Sequence, residues 1–431
     1  MSGDNSSDNL RDNSGWGVDS LTREIRANVS CRVDLSRDVR DEDIRDAITE
    51  SVLERSRSTY LSISQKQELI NSVFNSMRRL DIIQPLLEDK YVNEIMINSP
   101  DEIFIERAGL VQRVDMRFES SERLENLIQN IVSKVNRVVN EASPIVDARL
   151  EDGSRVNVVL PPVALKGPTM TIRKFSEKPL TMKELTKTGT LNDEANLLLE
   201  QLVVAKYNIF ISGGTGSGKT TFLNALSQYI PEHERIITIE DSAELQLSNV
   251  NNLVSLETRN ANTEGKGEVT VRDLIKTSLR MRPDRIVVGE VRGSEALDML
   301  QAMNTGHDGS LSTGHANTTR DMFTRLETMV LSATALPIEV IRKQIAAALD
   351  IVIHLGRLRD GSRRVLEISE VTDFADGDIE LNPLFIFSEE NAADNEVRGC
   401  LKSTGNQLIH IAKLRRAGLG KSVDNREKAS C

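Results

Sequence analysis

Nine consecutive residues read GGTGSGKTT and combine glycines with a lysine and two threonines. An apolar run of strand length, Ile209 to Ser212, precedes them, and apolar residues at helical spacing follow. A strand, a glycine-rich loop, Lys-Thr and a helix are together typical of a phosphate-binding loop, because backbone N–H groups and a helix start attract an anion. The residues that we expect to bind a nucleoside triphosphate are Gly213, Gly214, Thr215, Gly216, Ser217, Gly218, Lys219, Thr220 and Thr221.

Two side chains of this loop have predicted roles of their own. The ammonium of Lys219 would reach the β and γ phosphates, and the hydroxyl of Thr220 would hold Mg2+.

Two apolar runs downstream each end in acidic residues. Ile236 to Ile239 leads into Glu240, and Ile286 to Val288 leads through a glycine into Glu290. Ligands of parallel sheets bind at the carboxyl ends of the strands, where the phosphate loop also opens. Glu240 could orient or deprotonate an attacking water, or it could simply cap a strand end. Glu290, where an aspartate is commoner, suggests contact with Mg2+ through water, or a role in positioning water.

Two histidines, His307 and His315, lie eight residues apart in the segment that follows. A histidine can hydrogen-bond the γ-phosphate and so sense its loss, although a structural role is equally open for both. Zinc binding by the pair is disfavoured, because no nearby cysteine or clear third ligand completes a zinc site.

Arginines near these segments could stabilise the charge that develops during phosphoryl transfer. For any one of them a surface salt bridge is the alternative. The candidates are Arg149, Arg155, Arg173, Arg280, Arg282 and Arg292.

The elements around the loop predict an α/β fold. Helical patterns alternate with apolar strands from about residue 192, which indicates a mainly parallel sheet with helices on both faces. Hairpins follow after about Asp350, with Asp360-Gly361 and Asp376-Gly377 as turns. The predicted organisation is a disordered tail at 1–40, helices at 41–85, an α+β domain at 86–173, a linker at 174–191, the phosphate-loop domain at 192–390 and a C-terminal tail at 391–431.

Two helical patterns lie in the predicted N-terminal segments. Ser64 with Gln67 is interpreted as a capping box that begins one helix. A second helix is predicted to carry apolar residues from Leu124 to Val139 on one side.

Composition narrows the functional class. The 431-residue chain has a net charge of −11, which weighs against a motor that grips nucleic acid. No apolar run approaches the roughly 18 residues that a membrane span needs. The start of the chain does not resemble a secretory signal, and the three scattered cysteines favour a reducing cytoplasm.

Taken together, these motifs resemble those of the secretion ATPase superfamily of type II and type IV systems. GGTGSGKTT resembles its Walker A motif, TIEDSAEL its Asp box, RIVVGEVRG its Walker B motif and TGHDGSLSTGHANT its His box. Segments such as LLEDKYVNEIMINSPDEIFIERAG and HLGRLRDGSRRV are most similar to the CpaF/TadA-type ATPases of Flp (tight-adherence) pilus assembly.

The resemblance implies an N-terminal PAS-like domain, a RecA-like domain and a homo-hexameric ring that hydrolyses ATP with Mg2+. It implies a cytoplasmic motor, peripheral at the inner membrane, that acts on a membrane platform protein without binding nucleic acid directly. Conjugative type IV secretion ATPases share the boxes and are the alternative. The catalytic residues implied are Lys219, Glu240, Glu290, His315, Arg155 and Arg173, with Thr220 and Glu290 on the metal.

Overall fold

The computed structural model forms two compact units, which meet in sequence between Phe175 and Ser176. The residues that it describes are 14–33, 39–107, 109–135, 137–175, 179–259, 261, 265–375, 377–390 and 397–419.

The first unit contains a six-stranded antiparallel sheet in the order β3-β2-β1-β6-β5-β4. Leu124, Ile128 and Ile131 of helix α5 are buried in the same core as the inward-facing residues of the sheet. The strands are β1 (Val92–Ser99), β2 (Glu102–Arg107), β3 (Leu110–Val114), β4 (Ile145–Arg149), β5 (Arg155–Val159) and β6 (Thr169–Arg173). The helices are α1 (Ser14–Arg32), α2 (Asp41–Ser56), α3 (Ile63–Arg78), α4 (Gln84–Glu88) and α5 (Ser121–Lys134).

Helices α1, α2 and α3 share an apolar core of their own. Ile25 and Val29 of α1 are buried together with Ile44 and Ile48 of α2. The prediction of a disordered tail at 1–40 is therefore wrong for residues 14–33. A helix with only a few apolar side chains is stabilised when two other helices bury those side chains. Residues 1–13 and 34–38 lie outside the described residues.

Two helix boundaries differ from the sequence prediction. The capping box of α3 consists of Ser62 and Gln65, two residues before the predicted pair, although the spacing is the same. Helix α5 ends at Lys134, so Val138 lies beyond it and is 60% exposed. The apolar pattern continued past the helix, and pattern alone does not mark where a helix stops.

The second unit contains a nine-stranded sheet with helices on both faces, which confirms the predicted α/β class. Its strands are β7 (Ile209–Gly213), β8 (Arg235–Glu240), β9 (Asn252–Glu257), β10 (Arg285–Val288), β11 (Leu311–His315), β12 (Ile351–Arg357), β13 (Arg363–Ala375), β14 (Asp378–Glu390) and β15 (Arg398–Ser403). Its helices are α6 (Met182–Lys187), α7 (Asp193–Val204), α8 (Lys219–Ser227), α9 (Val271–Ser278), α10 (Glu295–Asn304), α11 (Thr319–Ala333), α12 (Ile338–Ala348) and α13 (Ala412–Arg416).

The order of this sheet, β15-β14-β13-β12-β7-β11-β10-β8-β9, determines where the motifs meet. Strands β12, β7, β11, β10, β8 and β9 run parallel, and the last three strands form antiparallel hairpins beside them. The carboxyl ends of β7, β11, β10 and β8 therefore lie side by side at one edge.

The central strand β7 is buried on both faces, as a strand covered by helices on each side must be. Ile209 and Ile211 face the core shared with α7 and α8, whereas Phe210 faces the core shared with α10 and α11. This alternation explains why the run is continuously apolar.

The predicted linker and C-terminal tail both contribute to the second unit. Met182 and Leu185 of α6, within the predicted linker, are buried in its core. Strand β15 pairs with β14, and the backbone oxygen of Leu401 accepts a hydrogen bond of 2.7 Å from Asn192 Nδ2, the N-cap of α7. The predicted boundaries at 191 and 390 are therefore wrong for these segments. Residues 176–178, 376, 391–396 and 420–431 lie outside the described residues.

Among the described residues, none of the helices combines the length and the apolar character that a membrane crossing requires.

Candidate nucleotide site

The loop between β7 and α8 begins and ends on backbone that excludes larger side chains. At Gly213 an added Cβ would lie 2.4 Å from the backbone oxygen of Leu355 on the neighbouring strand. Gly218 is the N-cap of α8 and has a φ of 92°, a conformation that side chains disfavour. The loop therefore turns sharply from the central strand into a helix start, the arrangement that binds phosphate.

Lys219 is buried, and its ammonium is held at the base of the loop. Its Nζ donates hydrogen bonds of 3.1 Å to the backbone oxygen of Gly213 and 3.0 Å to that of Gly214, and lies 3.2 Å from His315 Nδ1. The ammonium that is predicted to bind phosphate is thus hydrogen-bonded to carbonyl oxygens of the same loop.

Glu240 ends β8 and is buried against the neighbouring strand end. Its Oε1 accepts hydrogen bonds from the backbone N–H of Glu244 at 2.9 Å and of Leu245 at 3.0 Å. Burial raises the pKa of this carboxyl from 4.5 to about 7, although the two backbone N–H groups lower it. Its Oε2 is buried without a hydrogen bond among the described residues.

Glu290 follows β10, the strand that pairs with β8, and its side chain is 22% exposed. Arg292 donates a hydrogen bond of 2.9 Å to Glu290 Oε2 and reaches Asp241 Oδ2 at 3.3 Å. Within the described chain, Glu290 Oε1 has no hydrogen bond of good geometry, although His315 Nε2 lies 2.9 Å away. One carboxylate oxygen is thus neutralised by an arginine, and the other faces the site.

His315 ends β11 between the lysine and the glutamate. An ammonium can only donate, so Nδ1 of His315 accepts from Lys219 and the ring proton is on Nε2, beside Glu290. Burial lowers the pKa of this imidazole, and the positive charges of Lys219 and Arg292 lower it further against the influence of Glu290. The neutral ring therefore links the phosphate loop to the acidic strand end.

The residues at this edge fit a nucleotide with Mg2+. Buried carboxylate oxygens without hydrogen bonds are costly, and within the described part of the chain Glu240 Oε2 and Glu290 Oε1 are two of them. Across the described residues, no group of three or more His, Cys, Asp or Glu side chains could hold a metal ion by itself. Mg2+ is commonly bound by one or two protein groups together with substrate phosphates, which matches a site that supplies Thr220 and Glu290.

The structure does not bring all predicted residues to this edge. His307 precedes β11, with its Nδ1 3.3 Å from the backbone oxygen of Ala302, so it lies at the opposite edge from His315. Arg280 and Arg282 precede β10 and lie at that same opposite edge. These three candidates therefore do not lie beside the phosphate loop, because a strand of four or five residues separates the two edges of the sheet.

Arg155 and Arg173 belong to the first unit. They are directly opposite each other on the paired strands β5 and β6, so two guanidinium groups project from neighbouring positions of that sheet. Arg149, opposite Arg155 on β4, donates a hydrogen bond to the backbone oxygen of Gly153.

The structure adds two arginines that sequence reasoning did not place at the site. Arg357 and Arg363 lie opposite each other where β12 turns into β13, and Arg363 Nε donates a hydrogen bond of 2.9 Å to the backbone oxygen of Gly216. Because β12 runs parallel to β7, its carboxyl end reaches the phosphate loop. The sequence of this hairpin is rich in arginine, but its place beside β7 depends on strand order.

The model of the family described as "Type II/IV secretion system protein" matches residues 77–408. A protein of Mycobacterium tuberculosis named for conjugal transfer is 37% identical over 294 residues, which are 67% of this chain and 83% of that protein. The type IV secretion system protein VirB11 of Brucella suis is 33% identical over 320 residues, with 68% of this chain and 88% of that protein covered.

Among solved structures, the pilus retraction motor PilT with bound ADP is similar in fold. It has a TM-score of 0.50 and 19% sequence identity, and the match covers 81% of this chain and 89% of that one.

Proposed function

The chain belongs to the type II/IV secretion system protein family and is an ATPase of that family, and we propose that it is a motor that converts ATP hydrolysis into work on a membrane-bound assembly. The observation that carries the proposal is the convergence of Lys219, Glu240, Glu290 and His315 at one edge of the sheet. A phosphate loop alone would support binding only. Two acidic strand ends beside it supply the groups that hydrolysis needs.

In this proposal Glu240 is the group that activates water. The water oxygen attacks the γ-phosphorus, the bond between that phosphorus and the β-γ bridging oxygen breaks, and ADP leaves. The proton of the water passes to Glu240, whose pKa of about 7 suits a group that gains and loses a proton near neutral pH.

The loop and its neighbours would hold the nucleotide and the metal ion. The backbone N–H groups of the loop would bind the phosphates, with Lys219 on the β and γ oxygens. Thr220 and Glu290 would hold Mg2+, which neutralises charge on the phosphates when bound.

His315 would report whether the γ-phosphate is present. Its neutral ring lies between Lys219 and Glu290, at 3.2 Å and 2.9 Å, so any change of partner by either residue changes its contacts. Arg155 and Arg173 of the first unit would stabilise the charge that develops on the phosphates during hydrolysis, the role that the family resemblance implies for them.

We further propose that the motor is a homo-hexamer, cytoplasmic and peripheral at the inner membrane, that drives a platform protein to assemble a Flp-type pilus. The CpaF/TadA-like sequence segments support this reading, and the net charge of −11 disfavours direct work on nucleic acid. Conjugative or type IV secretion is the second candidate, favoured by relatives of 37% and 33% identity that are named for those processes. The pilin, platform or transfer genes beside this one would distinguish the two.

The central claim is tested by Lys219→Ala, with the exposed Lys183→Ala as control. Removing the buried ammonium should reduce ATP hydrolysis at least about 100-fold, because transition-state charge loses its cation. Phosphate release by the purified protein is the measurement. Normal turnover in Lys219→Ala would refute the proposal, and the control should keep the turnover of the unmodified protein.

A further inference from the structure

The hairpin that joins β12 to β13 lies over the phosphate loop. β12 is the immediate neighbour of β7 in the sheet, with Leu355 opposite Gly213. The segment RLRDGSR then turns back at Gly361, and its two ends, Arg357 and Arg363, are partners across the hairpin. The turn thus carries arginines to the edge of the sheet where the nucleotide would bind.

Arg363 contacts the middle of the loop. Its Nε donates a hydrogen bond of 2.9 Å to the backbone oxygen of Gly216, and its Cδ lies 3.2 Å from where a Cβ of Gly218 would be. In a trans peptide the C=O and the following N–H point in opposite directions. Because the guanidinium holds the Gly216 oxygen, the N–H of Ser217 points away from it and across the loop, towards the oxygen of Gly214 at 3.3 Å.

The charge of Arg363 is not neutralised by a carboxylate within 4 Å in the part of the chain that the structure describes. Arg359 in the same turn is different, because it forms an ion pair with Glu389 at 2.5 Å. In a chain of net charge −11, Arg363 places positive charge beside the phosphate loop.

We propose that Arg363 is a positioning residue of the nucleotide site, which holds the Gly216 peptide and with it the turn that the Ser217 N–H closes on the Gly214 oxygen, and that its charge strengthens nucleotide binding. This inference rests on the proposed function, since it assumes that the loop binds ATP. The backbone of such a loop surrounds the α and β phosphates, which ATP and ADP share. Arg363 therefore stabilises both nucleotides equally and contributes to affinity rather than to the chemical step.

The experiment compares Arg363→Ala with Arg359→Ala in the full chain. Arg363→Ala should raise the KM for ATP and the Kd for ADP by about five- to tenfold each, as expected for one charge-assisted hydrogen bond at an exposed position. Its kcat should stay within about twofold. Arg359→Ala should change none of these values, because its partner Glu389 is on β14. Equal thermal midpoints for both variants would exclude a folding defect.

Three outcomes would overturn the inference. These are an unchanged Kd for ADP, a fall in kcat without a change in KM, and the same loss in the Arg359→Ala control. Arg363→Gln separates geometry from charge, since an amide can still donate to the Gly216 oxygen. This variant should recover part of the affinity and show a weaker salt dependence of binding than the unmodified protein. If Lys219→Ala were fully active, the proposed function itself would fail, whereas loss of activity there with no effect at Arg363 would reject only this inference.

Discussion

Replacing Glu240 by Gln should separate nucleotide binding from hydrolysis. The carboxylate oxygen Oε1 accepts hydrogen bonds from the backbone N–H groups of Glu244 and Leu245, and an amide oxygen in the same place can accept both. The loop after β8 should therefore keep its conformation. What the variant loses is the proton acceptor, so kcat should fall by about 10² to 10⁴ while the Kd for ATP stays within about threefold.

The pH dependence of the unmodified enzyme follows from the same residue. Only ionised Glu240 can accept a proton, so activity should rise as pH increases through its pKa of about 7. For a single group with that pKa, the ionised fraction is roughly one in eleven at pH 6 and ten in eleven at pH 8, which gives about a tenfold rise in kcat/KM, the parameter that reports the nucleotide-free enzyme. The residual activity of Glu240→Gln should show no such rise.

The assay is steady-state phosphate release between pH 5.5 and 9, with kcat and kcat/KM for ATP determined at each pH and ATP binding measured separately. Glu257→Gln is the matched control, because Glu257 is opposite Glu240 on β9 and its negative charge raises the pKa of Glu240. That variant should keep its maximal turnover and shift its pH midpoint downwards. Full kcat in Glu240→Gln, or an unchanged pH profile in its residual activity, would refute the assignment of Glu240 as the base.

Two further predictions concern the metal site and the first unit. Glu290→Gln should bind ATP within about threefold of normal but lower kcat more than about tenfold, since Mg2+ loses a charged partner; unaltered kcat in a turnover assay would contradict the role. Arg155→Ala and Arg173→Ala should lower turnover by at least about 100-fold and affinity much less. Arg113→Ala, on the edge strand β3, is their control, and equal losses in kcat and affinity would favour simple binding.

The position of the acidic residues beside the phosphate loop could be predicted, because each stands at or just beyond the carboxyl end of an apolar strand. Glu240 is the last residue of β8, Glu290 lies two residues beyond the paired strand β10, and ligands of parallel sheets bind at the carboxyl ends. The position of His315 also agrees with this rule, because it is the last residue of β11, which lies between β7 and β10.

Other features of the site and the fold could not be predicted, because they depend on contacts between residues that are far apart in sequence. Local spacing could not separate His307 from His315, because it did not predict the short strand β11 (Leu311–His315), whose length places them at opposite edges. The contact of Arg363 with Gly216 joins residues 147 positions apart and exists only because β12 lies next to β7. Helix α1 was missed for a similar reason, since its stability comes from the helices that cover Ile25 and Val29 rather than from its own composition.

The hydrogen bond between Asn192 and Leu401 brings the start of α7 and the last strand of the sheet together. The two residues are 209 positions apart in sequence. Helix α7, which leads through β7 into the phosphate loop, is therefore held at its start by the strand at the far side of the sheet. Strand β15 in turn is held both by its pairing with β14 and by this side chain, so a variant that lacks β15 would leave the amide of Asn192 without its acceptor.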